Sequence, residues 1–271
     1  EYMANRRNNG YDIYHWYISQ SSYWAIWPNL NKKIDPLDPV TREKWRLLNN
    51  RKFRQALSLA IDRETIIEAI MFGYPKPAQM APGPASPFYH EKLRNSYIEY
   101  DPVRAEGLLD SIGLTQRDSE GYRTFPNGDR MVWYLSYHNF MIPEPVHFVV
   151  ANWRKIGIRA VPKMRSPGFA GVEQQSLTND FTIAQGHEQY LPLIRPDDFV
   201  PMGEAFNSAT GFARWYTGGG LYGNSEATLY GGIEPPEGHP LRRSMIVVDE
   251  ARRAIGIEDQ RRILKEVFDI A

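Results

Sequence analysis

The chain has 271 residues, enough to bury a sizeable core in one large domain or two. Its 32 Lys and Arg balance 32 Asp and Glu, which argues against nucleic acid or an anionic membrane surface as its main partner, since both need a basic face. Cysteine is absent, so disulfides, thiolate catalysis and Cys-ligated zinc are excluded, and no run of about 18 apolar residues provides a membrane-spanning helix.

Residues 11–19, YDIYHWYIS, read as a strand, and 23–28 as a second one. Helices follow at 41–49, 51–60 and 63–72. Asn49 or Asn50 caps the second of these, Asp62 the third, and Gly73 supplies a left-handed stop. Residues 74–99 carry Pro75, Pro77, Pro82, Gly83, Pro84 and Pro87, the composition of an ordered loop. Asp101-Pro102 starts a helix that Gly113 ends. Asn127-Gly128 separates 122–125 from 131–137, a hairpin signal. A helix at 144–156 ends at Gly157 and leads into a strand at 158–164. Strand, helix and strand in that order form a βαβ unit with parallel strands. Another strand lies within 177–184. Gly, Pro and aromatic residues dominate 186–240, and two helices span 240–254 and 258–270. The pattern is α/β, with functional loops expected at the carboxyl ends of the strands.

Motifs with chemistry are few. Gly218, Gly220 and Gly223 satisfy G-x-G-x-x-G, but no strand precedes and no clear helix follows, so a loop is expected rather than a dinucleotide site. Asp118-Ser119-Glu120-Gly121 reads as a turn, because the twelfth position of a calcium loop falls on Asp129 beyond Pro126. The six histidines show no ligand spacing, so no metal site is expected, and no cofactor motif is present. His138 and His187 each follow a strand, where a side chain lines a cleft. Glu188 with Asp197 or Asp198 offers a carboxylate pair of the glycosidase kind, while acids beside Pro196 are also ordinary turn formers. Trp and Tyr are abundant, at 7 and 16. They serve either a large core or a recognition surface.

Residues 51–64, RKFRQALSLAIDRE, are followed by Gly73-Tyr74-Pro75, then Tyr100-Asp101-Pro102, Leu108-Leu109 and Gly113. Pro28-Asn29-Leu30-Asn31-Lys32 stands upstream, and Trp153-Arg154-Lys155-Ile156-Gly157-Ile158 downstream. In this order and spacing the chain resembles the family 5 extracellular solute-binding proteins, the oligopeptide-, dipeptide- and nickel-type receptors of ABC importers. The resemblance is strong over 29–183. Trp215-Tyr216-Thr217-Gly218-Gly219 and Glu234-Pro235-Pro236 are similar to one branch of the family.

The resemblance implies a periplasmic-binding-protein-like lobe of class II, with a mixed sheet flanked by helices. It implies that residues 1–30 are interlobe strands and 31–271 the large C-terminal lobe, with a first lobe missing. The opening Glu1-Tyr2-Met3 and a close inside a helical pattern likewise read as a piece of a longer protein. It implies a ligand-lining segment just after the strand at 177–184, which puts His187, Glu188 and Tyr190 at the ligand. Trp16 and Tyr17, and Trp215 and Tyr216, are further candidates. No catalytic residue is expected.

The function implied is capture of a small solute, an oligopeptide or oligosaccharide, between two lobes for delivery to an ABC permease in the membrane. The location implied is periplasmic or extracellular, with lipid anchoring of the full-length protein left open. Two other readings stay open: a glycoside-processing enzyme, and the ligand-sensing domain of a transcription regulator.

Overall fold

A computed structural model describes residues 5, 9–12, 14, 20–139, 141–203 and 205–271, with 20–23 described in backbone only. The strand expected at 11–19 lies largely outside them. The next strand, β1 (Gln20–Pro28), begins three residues earlier than its sequence pattern predicts. A helical run follows: α1 (Pro39–Leu48), α2 (Arg51–Leu59) and α3 (Arg63–Met71). Side-chain caps set each start. The Asp38 carboxylate accepts from the Val40 N–H, Asn50 from Lys52 and Phe53, and Asp62 from Thr65. The left-handed stop of α3 arrives one residue early, at Phe72 (φ 55°), with Gly73 following at φ 71°. A phenylalanine tolerates that conformation less well than glycine does.

The loop expected over 74–99 contains one helical turn, α4 (Glu91–Arg94). Then come α5 (Pro102–Ser111), capped by Asp101, β2 (Val132–His138), α6 (Glu144–Lys155) and β3 (Arg159–Arg165). Asn127-Gly128 does make a tight turn, but its arms share only the isolated bridge Thr124↔Arg130. The ladder partners of β2 are instead β3 and β4 (Phe181–Gln189), both parallel to it. A helix absent from the sequence reading, α7 (Pro167–Gln175), joins β3 to β4. It has no buried residue and therefore no apolar stripe to announce it. The C-terminal part holds α8 (Thr210–Thr217), α9 (Pro240–Arg253) and α10 (Ile257–Ile270).

The sheet has the order β1-β4-β2-β3, with β1 antiparallel to β4. It is mixed and flanked by helices, as expected. Its two faces contact two cores. Phe181 and Ile183 of β4, with Trp133 and Leu135 of β2, join α2, α5 and α6 in the first core. The Trp133 and Trp153 rings both meet Phe181 edge-on, at 5.6 and 5.4 Å between centroids. Ala184 of β4 and Ala25 and Trp27 of β1 lean on the second core. There Phe88, Phe199 and Trp215 pack with Val248, Leu264 and Phe268 of the last two helices.

The start of β4 is pinned by a polar cluster. Asp180, 2% exposed, accepts from Lys32 (2.9 Å), Lys44 (2.6 Å) and the Tyr134 N–H (3.0 Å). The Asn29 amide donates to the Leu177 and Asn179 carbonyls, and its oxygen accepts from the Asn31 N–H. Asn29, Asn31 and Lys32, which carry part of the family resemblance, therefore fasten β1 to the entry of β4.

Candidate functional site

Three parallel strands point their carboxyl ends, His138, Arg165 and Gln189, toward one edge of the sheet. β4 does not stop with its neighbours. Its pairing with β2 runs only from Phe181 to Ile183, whereas its pairing with β1 continues to Gln20↔Gln189. The strand expected to end at Ala184 thus extends five residues further, as one arm of a two-stranded ribbon. His187 and Glu188 sit within this strand rather than in a loop after it. Backbone pairing with β1 overrides the polar composition that makes 185–189 look like loop.

Alternation along the ribbon sends its side chains two ways. Gly186 and Glu188 turn toward a strap formed by residues 80–94. A Cβ on Gly186 would come within 3.0 Å of Met80 and of Ala25, so the strap lies directly on the strand. Glu188 Oε1 accepts from Arg94 Nη1 at 2.8 Å, and both side chains are four-fifths buried. Gly83 passes so close that a Cβ there would meet Glu188 Oε1 at 2.0 Å. The Ser86 hydroxyl donates to the Tyr190 carbonyl at 2.6 Å. Arg94 was not singled out from sequence, because an arginine amid prolines carries no periodic signal.

Gln185, His187 and Gln189 turn the other way, continuing the line of Phe181 and Ile183. Gln185 is exposed, His187 half-buried and Tyr190 43% exposed. The Gln189 amide donates to Asp198, which is 2% exposed. Burial pushes the Asp198 carboxyl above the usual carboxylate range, against the pull of that hydrogen bond and of His187 and Arg195. Asp197 pairs with Arg195 at 3.8 Å. Gln185 escaped the sequence reading, yet unbroken alternation from Phe181 through Ile183 and Gln185 to His187 was available to find it. Beyond Tyr190, Leu191, Leu193 and Ile194 join Phe88 and Ile257 around an apolar hollow of about 300 Å³.

The remaining candidates lie elsewhere. Trp16 and Tyr17 fall outside the described residues. Trp215 and Tyr216 stand on α8, a helix where a loop was expected. Trp215 is 3% exposed, packed in the second core against Gly220 and 5.0 Å beneath the Arg242 guanidinium. The Tyr216 hydroxyl bonds Asp249 at 3.2 Å and meets that of Tyr222 at 3.1 Å, and burial raises its pKa. Burial lowers the pKa of His138, at the end of β2. Gly218–Gly223 forms a loop with one 3₁₀ turn, as expected. Asp118 builds a turn by accepting from the Glu120 and Tyr122 N–H groups. Among the described residues no three His, Asp or Glu are grouped to hold a metal, and no helix is long and apolar enough to cross a membrane.

Comparison with known proteins agrees with this architecture. Residues 3–201 match the middle part of the bacterial extracellular solute-binding proteins, family 5. A 118-residue stretch, 42% of the chain, is 30% identical to heme-binding protein A of Haemophilus influenzae and covers 19% of that protein. The oligopeptide-binding protein OppA superposes with a TM-score of 0.83 at 24% identity, over 99% of this chain and 42% of its own. The periplasmic binding protein MelB of Agrobacterium fabrum, solved with stachyose, superposes with a TM-score of 0.63 at 16% identity, over 92% of this chain and 36% of its own. The chain thus spans less than half the length of the relatives it matches. It belongs to the bacterial extracellular solute-binding proteins of family 5, a family of ABC-importer binding proteins rather than enzymes.

Proposed function

We propose that the chain is the large C-terminal lobe of a receptor that captures a small solute, a peptide or oligosaccharide, and delivers it to an ABC permease. The ribbon of β1 and β4 carries this reading. It runs past β2 and β3 at the carboxyl edge of the sheet, and it brings His187 and Tyr190 to that edge, where open α/β sheets bind ligands. Residues 1–30 would then lead from a first lobe into 31–271, with the ribbon at the crossing. A solute touching both lobes favours the closed arrangement by its differential affinity for it. Within the reading His187 and Tyr190 meet solute. Glu188 shapes the site through Arg94, and Trp215 and Tyr216 belong to the scaffold. Trp16 and Tyr17 are further residues proposed to meet solute. The periplasm is the compartment proposed, with the permease on the membrane beside it. The glycosidase reading loses support because Glu188, Asp197 and Asp198 each have a partner in the fold.

Small-angle scattering on the full-length protein, with and without solute identified by calorimetry, tests the mechanism. Contraction on saturation is expected; saturation without contraction would remove hinge closure. The isolated 271-residue chain should bind at least about tenfold more weakly, because the contacts of the other lobe are lost. Equal affinity would place the whole site on this lobe.

A further inference from the structure

We propose that the captured solute carries no formal charge: it is a hydroxyl- or amide-rich oligomer, held on this lobe by the face of the ribbon turned away from the strap. The inference rests on the capture reading and narrows it. Register and alternation put Trp24, Ile26, Ile183, Gln185 and His187 on that face, since Trp24 pairs with Gln185 and Ile26 with Ile183. None of these is a carboxylate, an ammonium or a guanidinium.

Among the described residues most charges near the carboxyl edge are paired within the fold. Arg94 takes Glu188 on the opposite face. Glu173 grips Arg165, at the end of β3, through two bonds of 3.0 and 2.9 Å. Asp197 faces Arg195, and Asp198 is buried on Gln189. Glu144 is exposed, in the first turn of α6, where the helix dipole accommodates it.

A charged solute end brought into a closed cleft sheds its water and needs an opposite charge to replace it. Among the described residues this face provides no carboxylate, ammonium or guanidinium. It offers instead an indole, an imidazole and a primary amide that both donates and accepts. Trp24 Nε1 and His187 Nδ1 are buried without a hydrogen-bond partner among the described residues. A hydroxyl or amide of the solute would satisfy them once the side chains turn toward it.

Calorimetry on the full-length protein with three probes tests the charge: maltotetraose, N-acetyl-tetraalanine amide, and tetraalanine with both charged ends. At least one uncharged probe should bind about tenfold or more tighter than tetraalanine, the desolvation penalty of charged ends being paid without return. The two uncharged arms separate a sugar from a peptide backbone. Gln185→Glu, an exposed substitution that leaves folding intact, should weaken the uncharged probe about fivefold or more by placing a carboxylate on the face. Tetraalanine binding tightest, or uncharged binding unmoved by Gln185→Glu, overturns the inference and leaves capture standing. Binding by none of the probes takes down both.

Discussion

The two ends of β4 are built on opposite principles. At its start the buried Asp180 accepts from two buried ammonium groups and from a backbone N–H. At its far end the strand leaves the sheet with β1 alone; its Glu188 pairs with Arg94, and the amide of its Gln189 bonds the nearby Asp198. The first arrangement fixes the strand's register. The second leaves a ribbon that carries exposed polar groups to the carboxyl edge and depends on a strap for its shape. One strand thus serves the core for half its length and carries the proposed site on the rest.

Breaking the inner end should have the largest effect. Asp180→Asn leaves Lys32 and Lys44 buried, 7% exposed each, without their counter-charge. Burial already depresses the Lys44 pKa although Asp180 pulls the other way. Losing one partner of such a cluster costs about 3–5 kcal/mol, to be read from urea unfolding midpoints at constant m-value. A change below about 1 kcal/mol, the range of exposed pairs, would mean that water already reaches the cluster.

The outer end should break more gently. Gly83→Ala places a methyl group where Glu188 Oε1 now lies, so the carboxylate must swing out and release Arg94. A loss of about 1–3 kcal/mol is expected for such overpacking. Glu188→Gln with Gly83 intact keeps the shape and removes only the charge, so it should lose less. If the two variants match, the ion pair and not the close approach holds the strap. Neither should shift the affinity of an uncharged solute as far as Gln185→Glu does, because Glu188 points at the strap.

The same contrast explains what the sequence discloses. The inner region is legible because local chemistry and tertiary packing agree there. Asn50, Asp62 and Asp101 cap the helices they precede, and the β2–α6–β3 unit has the parallel pairing its order predicts. The outer region is not, because long-range contacts define it. Residues 185–189 are strand only by virtue of β1, more than 150 positions upstream. Arg94 matters only through Glu188, and α7 buries nothing. The resemblance marks the segment 186–190, where Tyr190 is exposed; Gln185, one position before it, is exposed as well. Trp215, conspicuous in the sequence, is core.

The smallest expected effect separates the two ends by pH. Burial raises the Asp198 pKa above its ordinary 3.8, so the folded protein holds that proton more tightly than the unfolded chain does. Between 3.8 and the raised folded value the native state binds more protons, and stability therefore falls as pH climbs through that interval. Asp198→Asn removes the proton and keeps the shape, so the difference in unfolding free energy between variant and wild type should grow in the variant's favour over this interval and level off above it. Comparing the two proteins cancels the histidines, whose lowered pKa values at His90, His138 and His239 give stability of the opposite slope, gained as pH rises toward 6.5. A parallel pair of stability curves would show that Gln189 and the nearby His187 and Arg195 already offset the burial of Asp198. The outer end would then be as tightly compensated as the inner one, and the contrast between them would rest on exposure alone.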